Sequence, residues 1–148
     1  MSGYLLDTNI VTMLSPSATQ TSQPFLDWLD RIDTAGELFI SVVTIHEIER
    51  GIALLEHKGA IAKASALKIW LMGLTSNYQD KILVIDAVAA SFGGQLEAKA
   101  AASGHNPGMA DAAIAGIAKA HDLIIVTANT KDFVPFGVGL MSPDDMAD

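Results

Sequence analysis

Four carboxylates stand at comparable places in this chain: Asp7, Glu47, Asp111 and Asp132, the last preceded closely by Asn129. Asp7 follows the apolar run Tyr4-Leu5-Leu6 and precedes Thr8-Asn9-Ile10. That is the pattern of a short buried strand ending at a sheet edge and handing over to a helix. Asp7 therefore reads either as the cap of that helix or as a ligand where open α/β sheets bind their ligands. Glu47 closes Thr44-Ile45-His46-Glu47, which also reads as a capping box. Asp111 suits the positive end of the helix it opens, and Asp132 suits closure of the turn Asn129-Thr130-Lys131. Each acid thus has a local job. Packed together in a partly buried cleft they would raise one another's pKa and cost stability unless a cation were present. An all-oxygen set without cysteine or a histidine cluster favours Mg²⁺ or Mn²⁺ over zinc.

The elements that must gather these acids alternate along the chain. Strands are predicted at Tyr4–Leu6, Leu38–Val43, Ile82–Ile85 and Leu123–Thr127, with a fifth edge strand at Val138–Met141. Helical spacing runs through Ile10, Val11 and Leu14 until Ser15-Pro16, and the small polar stretch Ser17 to Ser22 reads as a loop. Pro24 opens a helix with Phe25, Leu26, Leu29 and Ile32 on one face. Thr44–His57 and Ala60–Leu74, separated by Gly59, form a helical hairpin whose Ile69-Trp70-Leu71-Met72 is apolar nearly all round. A helix with Val88, Phe92 and Leu96 extends to Gly104, and an alanine-rich one covers Met109–Ala120. This order implies an α/β fold, a mostly parallel sheet of four to five strands with helices on both faces. Asp7, Glu47, Asn129 and Asp132 then follow strands onto one edge. Asp111 joins them because its helix runs antiparallel to the strands and starts at that edge. Asp86 falls there too, directly before a helix, and reads as a cap. His46 points about 100° away from Glu47 around its helix and reads as a surface residue. No glycine-rich phosphate loop is present.

The 148 residues suit one domain, 1–148, with an acidic tail from Pro143 to Asp148 expected to be loose. Half the residues are hydrophobic, yet no apolar run reaches the ~18 residues of a spanning helix. With no cysteine and no signal-peptide pattern, a cytoplasmic, non-membrane protein is expected. Seventeen acids against nine bases give a net charge of −8. That opposes broad electrostatic capture of nucleic acid, but leaves open a route in which cations bridge carboxylates to phosphate.

With these residues assembled, the chain resembles the PIN-domain family of metal-dependent nucleases, above all the VapC and FitB type of toxin ribonuclease. The passages that carry the resemblance are Leu5-Leu6-Asp7-Thr8-Asn9-Ile10, Ile40 through Gly51, Ala110-Asp111-Ala112-Ala113-Ile114-Ala115 and Val126 through Phe133. They cover nearly the whole chain in order. The resemblance implies a PIN-like three-layer α/β/α sandwich, with Asp7, Glu47 and Asp111 as the three family acids and Asp7 and Asp111 as direct metal ligands. Asn129 or Asp132 takes the fourth polar position, and Thr8 orients Asp7. It implies a Mg²⁺-dependent endoribonuclease, with Mn²⁺ able to substitute, that hydrolyses RNA phosphodiesters while Glu47 or Asp132 positions the attacking water. It also implies a homodimer and a VapB-like antitoxin partner, for either of which the hairpin Ile45–Leu74 is a suitable surface. Ala128 stands where the family often has Arg. The competing readings are a receiver-like module phosphorylated on Asp86, and a catalytically inactive PIN fold that only binds a partner.

Overall fold

The computed structural model describes residues 3–16, 18 and 22–146. Its centre is β1 (Tyr4–Leu6), which pairs in parallel with β2 (Leu38–Ser41) on one side and β4 (Ile124–Val126) on the other. β3 (Ile82–Leu83) and β5 (Leu140–Met141) complete the two edges, giving five parallel strands in the order β3-β2-β1-β4-β5. All five carboxyl ends consequently lie along one edge. The fold is the α/β sandwich expected, and the sheet is wholly parallel.

Alternation along each strand sorts side chains into two cores. Leu6, Leu38, Ile40 and Val126 face one layer, packed with α1 (Thr8–Thr12), α2 (Gln23–Thr34), α3 (Val42–His57) and α4 (Ile61–Asn77). Leu5 and Ile125 face the other, packed with α5 (Ala87–Ala102) and α6 (Met109–His121). Leu5 and Leu6 are fully buried on opposite faces, each contributing about 1.5–3 kcal/mol by leaving water. The acid that follows them is thereby anchored from both sides.

α5 and α6 approach closely because both carry glycine at the contact. A Cβ on Gly116 of α6 would lie 2.7 Å from the backbone nitrogen of Gly93, and one on Gly93 would lie 3.1 Å from the carbonyl oxygen of Ala112. This contact sets the position of α6, and so of Asp111 in its first turn.

Several boundaries differ from the sequence pattern. The β-branched run through Val43 predicts a longer second strand, but Ser41 stops it: its Oγ accepts the Thr44 N–H at 3.2 Å and caps α3, placing Val42 and Val43 in the helix. β3 ends at Leu83, leaving Val84 and Ile85 exposed, and α1 ends at Thr12, before Leu14. The tail is not loose throughout. Pro143–Met146 forms a 3-10 turn, and the Asp145 carboxylate accepts the Ser142 N–H at 2.8 Å. Within the expected loop 17–22, Ser17, Thr19, Gln20 and Thr21 lie outside the described residues, as do Ala147 and Asp148 of the tail.

Candidate active site

Asp7 occupies the turn between β1 and α1, with its N–H bonded to the Val126 carbonyl at 2.9 Å. It is the N-cap of α1. Only 6% of Asp7 is exposed. Its Oδ1 accepts the Thr8 N–H at 2.8 Å, while its Oδ2 accepts from the Thr127 hydroxyl at 2.8 Å and the Asn9 amide at 3.1 Å. A carboxylate has about four acceptor positions. Three are filled, in fixed directions, and the remaining one suits a cation. Burial is the main influence pushing the Asp7 carboxyl upward, helped by the Glu47 charge and opposed by the Thr127, Thr8 and Asn9 hydrogen bonds.

Asn9 and Thr127 were not legible as site residues from their spacing. The Asn9 side chain also accepts the Ala128 N–H at 3.1 Å, tying α1 to the segment after β4. Thr127 is fully buried and its hydroxyl accepts the Asn129 N–H at 3.0 Å. With that acceptance made, the hydroxyl proton is directed at Asp7. The only sequence signal was position: both are small polar residues within three places of a strand's carboxyl end.

Glu47 is not the partner in a capping box, because Ser41 rather than Thr44 caps α3. Its Oε1 instead accepts a short hydrogen bond from the Thr8 hydroxyl, which also meets the Thr44 hydroxyl at 3.0 Å. A hydroxyl has one proton to give, so Thr44 donates to Thr8 and Thr8 to Glu47. Thr8 therefore orients Asp7 through its backbone N–H and Glu47 through its side chain.

Asp111 opens α6, on the far side of the sheet from α1, and is half-buried. Its pKa is raised to about 6, first by burial and then by the charges of Asp7, Asp132 and Glu47. The four acids expected to converge are thus close enough to act on one another. Asp132 ends the 3-10 turn Thr130–Asp132 and lines a cavity with Asp111. Asn129 is exposed and enters the network through its backbone N–H on Thr127. Asp86 stands apart: its Oδ1 accepts the Ala89 N–H at 2.9 Å as the cap of α5.

Among the described residues no three acidic or histidine side chains are drawn tightly enough together to cage an ion. Mg²⁺ does not need such a cage: it usually keeps several waters and binds one or two carboxylates plus substrate phosphate. Asp7 with an acceptor position to spare, and Asp111 accepting no hydrogen bond among the described residues, are the residues that would hold it.

A parallel sheet with buried acid at the end of its central strand and further acids converging from α3, α6 and the segment after β4 defines the class. The chain belongs to the PIN domain family, whose model matches residues 4–134. It is similar to Toxin FitB of Neisseria gonorrhoeae, 29% identical over 140 residues, which cover 94% of this chain and 96% of that protein. It is 32% identical over 145 residues to the tRNA(fMet)-specific endonuclease VapC of Shigella flexneri, covering 95% and 96% of the two chains. Among solved structures, FitAcB from Neisseria gonorrhoeae superposes with a TM-score of 0.80 at 28% identity, covering 95% of this chain and 97% of that one. DNA-bound VapBC from Salmonella typhimurium gives 0.74 at 25%, covering 97% and 99%.

Proposed function

We propose that this protein is a Mg²⁺-dependent endoribonuclease and the toxin of a toxin–antitoxin pair. The observation that carries the reading is the convergence of acids at one sheet edge: buried Asp7 held by Thr127, Asn9 and Thr8, Glu47 tied to the same Thr8, and Asp111 sharing a cavity with Asp132, with the Asp111 carboxyl pushed up by burial and by its neighbours' charges. Four acids held close together are a cost to the fold unless a cation offsets their charge, and such perturbed groups in a cleft mark functional sites. Membership of a family whose relatives include named ribonucleases supports the same conclusion.

In this reading Asp7 and Asp111 hold the ion. When bound, Mg²⁺ supplies Lewis-acid stabilisation of the scissile phosphate and lowers the pKa of a coordinated water. Asp7 is kept in place by Thr127, Asn9 and the Thr8 N–H, so it needs no rearrangement to act. Glu47, steadied through Thr8, keeps its second oxygen available to orient the attacking water and take its proton. Asp132 is the fourth acid, since its charge reaches Asp111 and it lines the same cavity.

Solved relatives are toxin–antitoxin complexes, which supports an antitoxin partner here; a second copy of this chain is proposed as a further partner. The α3–α4 hairpin offers a surface: Ile45, Leu71 and Met72 line a groove flanked by Glu49 and Lys68, and Ile69 and Met72 are largely exposed. No helix among the described residues is long and apolar enough to cross a membrane.

The test is controlled expression in a bacterial host. Wild type is expected to arrest growth, Asp111→Ala is expected to permit it, and co-expression of a cognate antitoxin is expected to relieve the arrest. Equal arrest by wild type and Asp111→Ala would defeat the catalytic reading. The initiator tRNA cut by one relative is the first substrate to try.

A further inference from the structure

Beside the acids lies a cavity of about 160 Å³ that the proposed metal chemistry does not use in full. It is lined by Asp111, Lys131 and Asp132 together with His105, Asn106 and Pro107 from the α5–α6 connection. The space is smaller than the 300–1,000 Å³ of typical small-molecule sites, which fits part of a polymer better than a whole ligand. Lys131 is exposed and, although it adjoins Asp132 in the chain and shares the cavity with Asp111, it makes no ion pair among the described residues. Neutralising the acids is therefore not what its ammonium does in this structure. His105 likewise is exposed, with no side-chain hydrogen bond among the described residues.

We propose that this cavity receives the nucleotide next to the scissile bond, with Lys131 holding its phosphate and the His105 ring lying against its base. The proposal rests on the ribonuclease reading and adds to it the residues that hold the substrate. A chain of net charge −8 with four acids at its site repels RNA. One phosphate can be drawn in by the ion, but its neighbour needs a cation from the protein, and Lys131 is the lysine lining this cavity. Single-stranded RNA also offers unstacked bases, for which a histidine ring is a common platform.

The experiment uses a single-stranded RNA oligonucleotide and compares wild type with Lys131→Ala, Lys131→Arg and His105→Ala. Cleavage is measured with Mg²⁺ and equilibrium binding with Ca²⁺, between about 50 and 200 mM salt. Lys131→Ala is expected to raise KM about tenfold, the size of one charge-assisted hydrogen bond, with kcat nearly unchanged. The slope of log affinity against log salt is expected to fall by about 0.7, one phosphate contact on a single strand. Lys131→Arg is expected to restore both, and His105→Ala to weaken binding without altering the slope. Unchanged KM and slope in a folded Lys131→Ala protein overturn the proposal, as does a loss in kcat alone, which would assign Lys131 to positioning Asp132. If wild type binds RNA through Lys131 but shows no Mg²⁺-dependent cleavage, the subsite stands and the ribonuclease reading falls.

Discussion

Replacing Asp111 with asparagine is expected to make the metal-free protein more stable while removing its activity. In the wild type the Asp111 carboxyl is raised from 3.8 to about 6 by burial and by the charges of Asp7, Asp132 and Glu47. A displacement of that size corresponds to about 3 kcal/mol, and solvent reaching a half-exposed carboxylate screens it to about 1 kcal/mol. The sign follows from proton linkage. The folded state binds the Asp111 proton more tightly than the unfolded chain, so the ionised group destabilises the fold above pH 6. That penalty is relieved as pH falls from about 6 to the unfolded value of 3.8. Asparagine carries no charge at any pH, so its advantage should be largest at pH 7.5 and vanish near pH 4. For a chain of this length about 1 kcal/mol raises Tm by roughly 2–4 °C. The assay is thermal and urea unfolding of both proteins in chelator at pH 7.5, 6 and 4. Millimolar Mg²⁺ should then stabilise the wild type and not the variant, because ligand binding to the native state adds stability by mass action. A variant that is less stable than wild type at pH 7.5 in chelator, or whose advantage persists to pH 4, would refute the argument that four acids repel one another at this edge.

Other substitutions probe the scaffold that holds the acids. Thr127→Val removes the hydroxyl donor from Asp7 at nearly constant shape, and is expected to lower Mg²⁺ affinity about 10–100-fold; titration calorimetry reads it directly. Gly116→Val drives a side chain into the backbone of Gly93 and is expected to cost about 1–3 kcal/mol in urea unfolding. Because the damage displaces α6, activity should fall as well. Ser41→Ala removes the cap of α3 and should cost about 1 kcal/mol, which a thermal melt resolves.

The short apolar runs Tyr4–Leu6 and Leu123–Thr127, alternating along the chain with helical patterns, made the sheet legible in the sequence, and the parallel order then placed Asp7, Glu47, Asp111 and Asp132 on one edge. Three features escaped for identifiable reasons. A β-branched run does not reveal where a strand ends when a serine inside it can cap a helix, so Ser41 was read as strand and Glu47 as a capping partner. Asn9 and Thr127 are 118 positions apart, and their joint hold on Asp7 depends on β1 lying beside β4, a tertiary fact. The tail after Ser142 looked loose because it is acidic, yet Asp145 folds back onto the Ser142 N–H. Local pattern thus reported what each acid does within its own element, whereas the role of Asp7 depends on hydrogen bonds arriving from another strand.

The central claim is that the acids around Asp7 hold a metal ion that cuts RNA. The most direct measurement is cleavage of a labelled structured RNA by the purified protein with Mg²⁺, with chelator, and with Asp7→Asn in place of wild type. The account expects cleavage by wild type with Mg²⁺, none in chelator until Mg²⁺ is restored, and none by a folded Asp7→Asn protein. Cleavage that survives either chelation or the loss of Asp7 would contradict it.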